Sequence, residues 1–128
     1  MKMTPCPCGS SQPLEACCGR YLDGQTPAPA AGALMRSRYT AYVLGNEAYL
    51  LQTWHPTTRP AALQLDEEPR PRWIGLTVIR HETQDADHAV VEFVARYKIN
   101  GRAFKLHETS RFVRADGRWF YVDGDTGE

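Results

Sequence analysis

The sequence predicts an α+β protein, with helices in its first half, an antiparallel sheet in its second, and a small cysteine-rich segment in front. Three observations carry this. Apolar residues recur at helical spacing between Ala33 and Leu44, the period changes to two from Trp73 onward, and Asn100-Gly101 and Asp116-Gly117 punctuate the later half as hairpin turns. Helices that precede the strands in this way pack on one face of the sheet. At 128 residues the chain suits one ordinary domain plus a small appendage.

The appendage comes first, over residues 1–25. It holds every cysteine of the chain, in Cys6-Pro7-Cys8-Gly9-Ser10 and Cys17-Cys18-Gly19. Between Cys6 and Cys18, Leu14 and Ala16 are nearly the only apolar residues, so burial alone cannot fold that segment. The stretch from Met1 to Cys6 lacks the apolar run of a signal peptide, and nothing in the chain approaches a membrane span. The expectation is a cytoplasmic protein with reduced thiols and no membrane contact. Four thiols this close then match the four ligands of one structural Zn²⁺, and metal binding supplies the folding free energy. Pro5 and Pro7 stiffen the chain, Gly9 permits a tight turn, and Ser10 or Ser11 is expected to cap a short helix from Gln12 to Ala16. The C-x-C spacing with an adjacent pair differs from the common C-x₂-C finger. Two other readings therefore stand beside zinc: disulfides such as Cys6–Cys17 with Cys8–Cys18, and free redox-active thiols.

Residues 26–32 read as a short Pro/Ala linker, and residues 33–128 as the domain proper. Met35, Tyr39, Tyr42 and Val43 form a stripe along the first helix, Ala33 to Leu44, which Gly45 stops. Asn46 caps a second helix over about residues 47–54. Residues 55–71, with Pro56, Pro60, Pro69 and Pro71, form a loop with a short helix expected near Ala61–Leu65. Four strands follow: Trp73 to His81, His88 to Ile99, Arg102 to Arg114 and Arg118 to Asp123.

The hairpin turns fix a register. Counting from Asn100-Gly101, Tyr97 faces Phe104, Ala95 faces Leu106, Phe93 faces Glu108 and Val91 faces Ser110. Counting from Asp116-Gly117, Phe112 faces Tyr121 and Ser110 faces Asp123. Glu108, Ser110 and Asp123 thus share the apolar face that the helices cover. Carboxylates there must be paired, solvated in a cavity or shifted in pKa. Three readings are open: an ion pair of Glu108 with Arg36 or Arg38, a bulge that turns Glu108 outward, or a pocket with an acid/base group. Such a pocket takes Arg38, Tyr39 and Tyr42 from the first helix, Trp54 from the second, and Glu108, Ser110, Trp119 and Tyr121 from the sheet. Its catalytic candidates are Glu108, Asp123 and His55. His107 falls on the opposite face near Val94, and His81 and His88 flank a loop.

Charge gives no clear signal of nucleic-acid binding, although a local basic patch on the folded surface stays open. Lys and Arg total 15 against 15 Asp and Glu, evenly spread, so the excess of cations that generic nucleic-acid binding needs is absent.

The cysteine pattern resembles the SEC-C motif, found at the C-terminus of the SecA translocase motor and elsewhere. That motif usually ends Cys-His or Cys-Cys, and this chain has Cys18 in the last position. With Leu34 to Tyr42, Thr53-Trp54-His55-Pro56, Leu106 to Phe112 and Gly117 to Gly124, the whole chain resembles the YchJ family of small bacterial proteins. The resemblance implies a nuclear-transport-factor-2-like central domain, a cone of curved antiparallel sheet wrapped around helices. It also implies a closed, structural zinc site and, by analogy with SecA, a protein partner at the knuckle. The function expected is therefore a zinc-binding adaptor or ligand-binding protein, with a small ligand in the cone. The alternative is a small enzyme, isomerase-like, dehydratase-like or hydrolytic, with Glu108 or Asp123 as base and Tyr39, Tyr42 or His55 assisting.

Overall fold

In the computed structural model, which describes residues 4–63, 65 and 68–126, the second half of the chain is a four-stranded antiparallel meander. Its strands are β1 (Arg72–Asp85), β2 (His88–Ile99), β3 (Arg102–Ala115) and β4 (Arg118–Thr126). Asn100 and Gly101 have φ of 53° and 81°, and Asp116 and Gly117 of 54° and 77°. Positive φ at both central residues is the turn geometry that matches strand twist.

The β2–β3 ladder keeps the register counted from its turn, with Tyr97 opposite Phe104, Phe93 opposite Glu108 and Val91 opposite Ser110. The β3–β4 ladder begins in step, with Phe112 opposite Tyr121, and then slips by one. Arg111 faces Asp123, and Ser110 faces Gly124 rather than Asp123. Val122 is the extra residue, and its carbonyl accepts a hydrogen bond from the Thr58 hydroxyl at 2.6 Å. A bulge reverses the face of every later residue in its strand. β1 carries register shifts between Trp73 and Gly75, Val78 and Arg80, and Thr83 and Asp85. They keep Trp73, Leu76 and Val78 inward while Ile74 and Ile79 stand exposed. These shifts break simple alternation, and β1 runs past His81 to Asp85 because its pairing with β2 continues to Asp85 opposite His88.

α1 spans Ala31–Leu44, starting within the stretch read as linker, and ends at Gly45 with φ of 74°. α2 spans Glu47–Gln52, and the Asn46 side chain accepts a hydrogen bond from the Tyr49 N–H at 3.1 Å. No helix forms over 61–63; Gln64, within the short helix expected there, lies outside the described residues. The helix expected from Gln12 is reduced to 3₁₀ turns at Leu14–Ala16 and Cys18–Arg20, neither with a side-chain cap.

α1 is buried on most sides, because three partners surround it. Met35 and Tyr39 are buried with Val91, Phe93 and Ala95 of β2, and Ser37 shares a 2.7 Å hydrogen bond with the Tyr49 hydroxyl of α2. Arg36 and Thr40, one turn apart, reach the cysteine segment. Leu34, Leu50 and Val91 are fully buried, each worth about 1.5–3 kcal/mol. Cys6, Cys8, Cys18 and Tyr21 belong to the same apolar cluster, so the N-terminal segment is packed into the domain's core. Among the described residues no helix is long and apolar enough to cross a membrane.

Candidate functional site

The first candidate is the cysteine cluster. The Sγ atoms of Cys6, Cys8, Cys17 and Cys18 all lie within 4.8 Å of one another, and the Cys8–Cys17 separation is 3.6 Å. Metal–thiolate bonds of about 2.3 Å in a tetrahedron space their sulfurs by about 3.8 Å. The donor set therefore fits a four-coordinate thiolate-bound metal ion. All four cysteines are free thiols, without the disulfides considered above.

The residues around the sulfurs support that geometry. Ser10 does not cap a helix; its hydroxyl lies 3.0 Å from Cys17 Sγ and accepts the Gln12 N–H. Thr40 Oγ1 lies 3.6 Å from Cys6 Sγ, and Arg36 donates to the Cys8 carbonyl at 3.1 Å. Hydrogen bonding from Cys18, against the cost of burial, holds the Cys8 thiol down to about 4. The same bond pushes Cys18 up, and burial pushes Cys17 up.

The second candidate is a cavity of ≈240 Å³ between α1 and the sheet. Arg38, Tyr39, Tyr42, Trp54, Glu108, Ser110 and Tyr121 all line it. Met35, Trp73, Phe93, Ala95, Leu106 and Phe112 complete the wall. Met35, Arg38, Tyr39 and Tyr42 are one stripe of α1, and Phe93 with Ala95 and Leu106 with Glu108 come from adjacent inward positions of β2 and β3.

Its polar end is built around two charged groups. Glu108 Oε2 accepts hydrogen bonds from the Ser110 hydroxyl at 2.6 Å and the Tyr121 hydroxyl at 3.2 Å. Arg38, 5% exposed, donates through Nη1 to the Leu50 carbonyl at 2.8 Å and to Thr53 Oγ1 at 2.7 Å. Its guanidinium carbon stands 4.6 Å from the Tyr121 ring centre and 5.1 Å from that of Trp54. Backbone pairing holds this arrangement, since the Tyr121 N–H donates to the Thr53 carbonyl and its carbonyl accepts the His55 N–H, both at 2.8 Å. Burial lowers the Arg38 pKa, and burial raises those of Tyr39 and Tyr42. Burial and the Glu108 charge raise that of Tyr121.

Neither expected ion pair of Glu108 forms. Arg38 bonds to α2, and Arg36 points to the cysteine segment. Nor is Glu108 turned outward, since it lines the cavity.

Three other candidates stand elsewhere. Asp123 is carried to the outer sheet face by the Val122 bulge and pairs with Arg111 at 2.6 Å. His55 lies against Phe120, with Nδ1 2.7 Å from Thr57 Oγ1 and accepting the Thr57 N–H; it stabilises the turn after α2. Trp119 lines a smaller cleft of ≈160 Å³ with Ala28, Leu34 and Tyr49, because it sits one inward position nearer the turn than Tyr121. His107 is on the outer face, 2.6 Å from Glu92. Gly124 was missed. A Cβ there would collide with the Glu108 carboxylate, lying 2.7 Å from Cδ, so the bare backbone is what gives Glu108 its place. The sequence gives little signal for it, because Gly124 falls just past Asp123, where the alternating pattern ends.

Comparison with known proteins places this architecture. Residues 30–124 match the family model described as YchJ, middle NTF2-like domain. A UPF0225 protein from Polaromonas naphthalenivorans is 58% identical, over 95% of this chain and 97% of its own length. One from Chromobacterium violaceum is 61% identical, over 93% and 90%. The solution structure of a SEC-C motif containing protein from Rhodopseudomonas palustris aligns with a TM-score of 0.86 at 31% identity, covering 98% of this chain and all of that one. A crystal structure of another, from Psychrobacter arcticus, aligns at 0.74 and 30% identity, covering 98% and 84%. The family match spans most of the chain and the relatives align along nearly all of it: the chain belongs to the YchJ family, with a SEC-C cysteine cluster ahead of a nuclear-transport-factor-2-like domain.

Proposed function

We propose that this is a small-molecule-binding protein, in which Zn²⁺ closes the cysteine cluster as a structural clip and the cone-like domain holds the ligand. The observation that carries the reading is the cavity itself: ≈240 Å³, walled by aromatic and aliphatic side chains, with a few converging polar groups at one end. Four thiolates around one zinc leave no vacant position, which favours a structural over a catalytic metal. Zinc is the natural occupant of such an all-cysteine tetrahedron in a reducing compartment. The enzyme reading has less support, because Glu108 has neither Asp123 nor His55 beside it as a second acid/base group. Protein docking at the knuckle is a second reading, favoured by the exposure of Gly9, Ser11, Gln12 and Glu15 while three of the four cysteines are buried.

Ligand-observed NMR of small aromatic fragments tests the main reading, using the metal-loaded wild type and Ala95→Leu, whose longer side chain fills the cavity. Fragments that bind the wild type are expected to lose binding in the variant. Fragments that bind both equally contradict it.

A further inference from the structure

Beyond the reading of this cavity as a ligand site, on which it rests, we propose a ligand class: a neutral, flat ring compound of about ten non-hydrogen atoms with a hydrogen-bond donor beside an acceptor, as in a primary carboxamide or lactam.

Size comes first. A dry apolar cavity of about 150 Å³ takes benzene, and this one, at ≈240 Å³, has room for a ring with a polar substituent. Trp73, Phe93 and Leu106 offer the ring an apolar wall.

Charge comes second. Arg38 and Glu108 line the same cavity with opposite signs and are not bonded to each other. The chamber is therefore balanced before anything enters it. A ligand carrying either charge leaves one net charge in apolar surroundings, whereas a neutral one does not.

The third point is which polar atoms remain free. Oε2 of Glu108 takes both hydroxyls, and Oε1 has no partner among the described residues. Both bonds of Arg38 leave from Nη1, so Nη2 and Nε have none either, and the same holds for the Tyr42 hydroxyl. None of these atoms is sealed away: among the described residues only Trp54 Nε1 is both buried and without a partner. One free acceptor thus stands with free donors on the wall of one small cavity. A carboxamide satisfies both at once, its N–H donating to Glu108 Oε1 and its carbonyl accepting from Arg38 or Tyr42.

Benzamide, benzoate and benzamidine share one size and shape and differ in charge. Titrated into the metal-loaded full chain and followed by amide chemical shifts, benzamide is expected to bind at least about tenfold more tightly than the other two. Benzoate or benzamidine binding as well as benzamide overturns the ligand class and leaves the cavity reading standing. Failure of all three, while other fragments are lost in Ala95→Leu, overturns the class alone; failure of every fragment overturns the reading beneath it. In Glu108→Gln the Arg38 charge is uncompensated, and the order is expected to invert in favour of benzoate, by about tenfold. A folded Glu108→Gln protein that still prefers benzamide contradicts the charge-balance argument.

Discussion

Gly124 and Glu108 occupy one space between them: the side chain that Gly124 lacks is the volume the Glu108 carboxylate fills. The bulge at Val122 creates this relationship, since without it Asp123 would stand opposite Ser110 and put a second carboxylate there. The cavity thus has one acid, held by two hydroxyls, rather than a pair.

Gly124→Ala is expected to push the Glu108 carboxylate out of place and break its bonds to Ser110 and Tyr121. Gly124 does not have the left-handed backbone that favours glycine, so the cost is steric and confined to a flexible side-chain end. Two net hydrogen bonds put it at about 1–2 kcal/mol, measurable by urea denaturation. A variant of wild-type stability with Glu108 unmoved contradicts the relationship.

Arg38→Met keeps the stem and removes the charge. It leaves the Leu50 carbonyl and Thr53 hydroxyl without their donor and Glu108 as the sole charge of the cavity. The expected loss is about 2–4 kcal/mol. Arg38→Lys restores charge but not the planar group packed beside Trp54 and Tyr121, and should fall between the two in thermal unfolding.

How much of this could be read from the residues depends on where irregularity falls. Asn100-Gly101 sets the β2–β3 pairing unambiguously, and the inward placement of Phe93 and Glu108 follows from that turn alone. Asp116-Gly117 sets the start of β3–β4 equally well, but a bulge is decided by contacts remote in sequence. Here the Thr58 hydroxyl meets the Val122 carbonyl, and Thr53 and His55 pair with Tyr121. Period-two counting cannot see those contacts, so Asp123 was expected inside. Register assigns Trp119 the inward face but not how far along it the cavity extends, and Trp119 lines the neighbouring cleft; His55 follows Trp54 in sequence, yet its ring packs on Phe120 and bonds to Thr57. The cysteine cluster was readable because metal ligation needs only ligand type and proximity, both local in the chain.

Cys8→Ser should remove the metal and unsettle the domain with it, because Cys8 is fully buried and its carbonyl receives Arg36 of α1. Metal analysis is expected to fall from about one zinc per chain to almost none. The Tm should drop by at least about 5 °C, the equivalent of little more than 1 kcal/mol for a domain of this size. Chelation of the wild type should do the same, reversibly on adding zinc. Unchanged Tm after metal loss contradicts the view that the knuckle is part of the core.

Alkaline pH should unfold the protein through its tyrosines. Tyr39, Tyr42, Tyr49 and Tyr121, four of the six in the chain, have pKa values raised chiefly by burial. A raised folded-state pKa means that the contribution is fully present below the unfolded value of about 10 and is lost as pH climbs beyond it. Denaturation midpoints at rising pH should fall above about pH 10, with tyrosinate absorbance growing as the fold opens. Tyr121→Phe should lessen the fall; the same slope in that variant contradicts the assignment.

The central claim is that the space between α1 and the sheet is a ligand site walled by Arg38 and Glu108. A crystal structure of the metal-loaded protein soaked with its tightest-binding fragment tests it most directly. The predicted result is density for the fragment against Trp73 and Phe93, within hydrogen-bonding distance of Glu108 Oε1. A fragment bound elsewhere, or a collapsed cavity with Arg38 and Glu108 closed directly on each other, would contradict it.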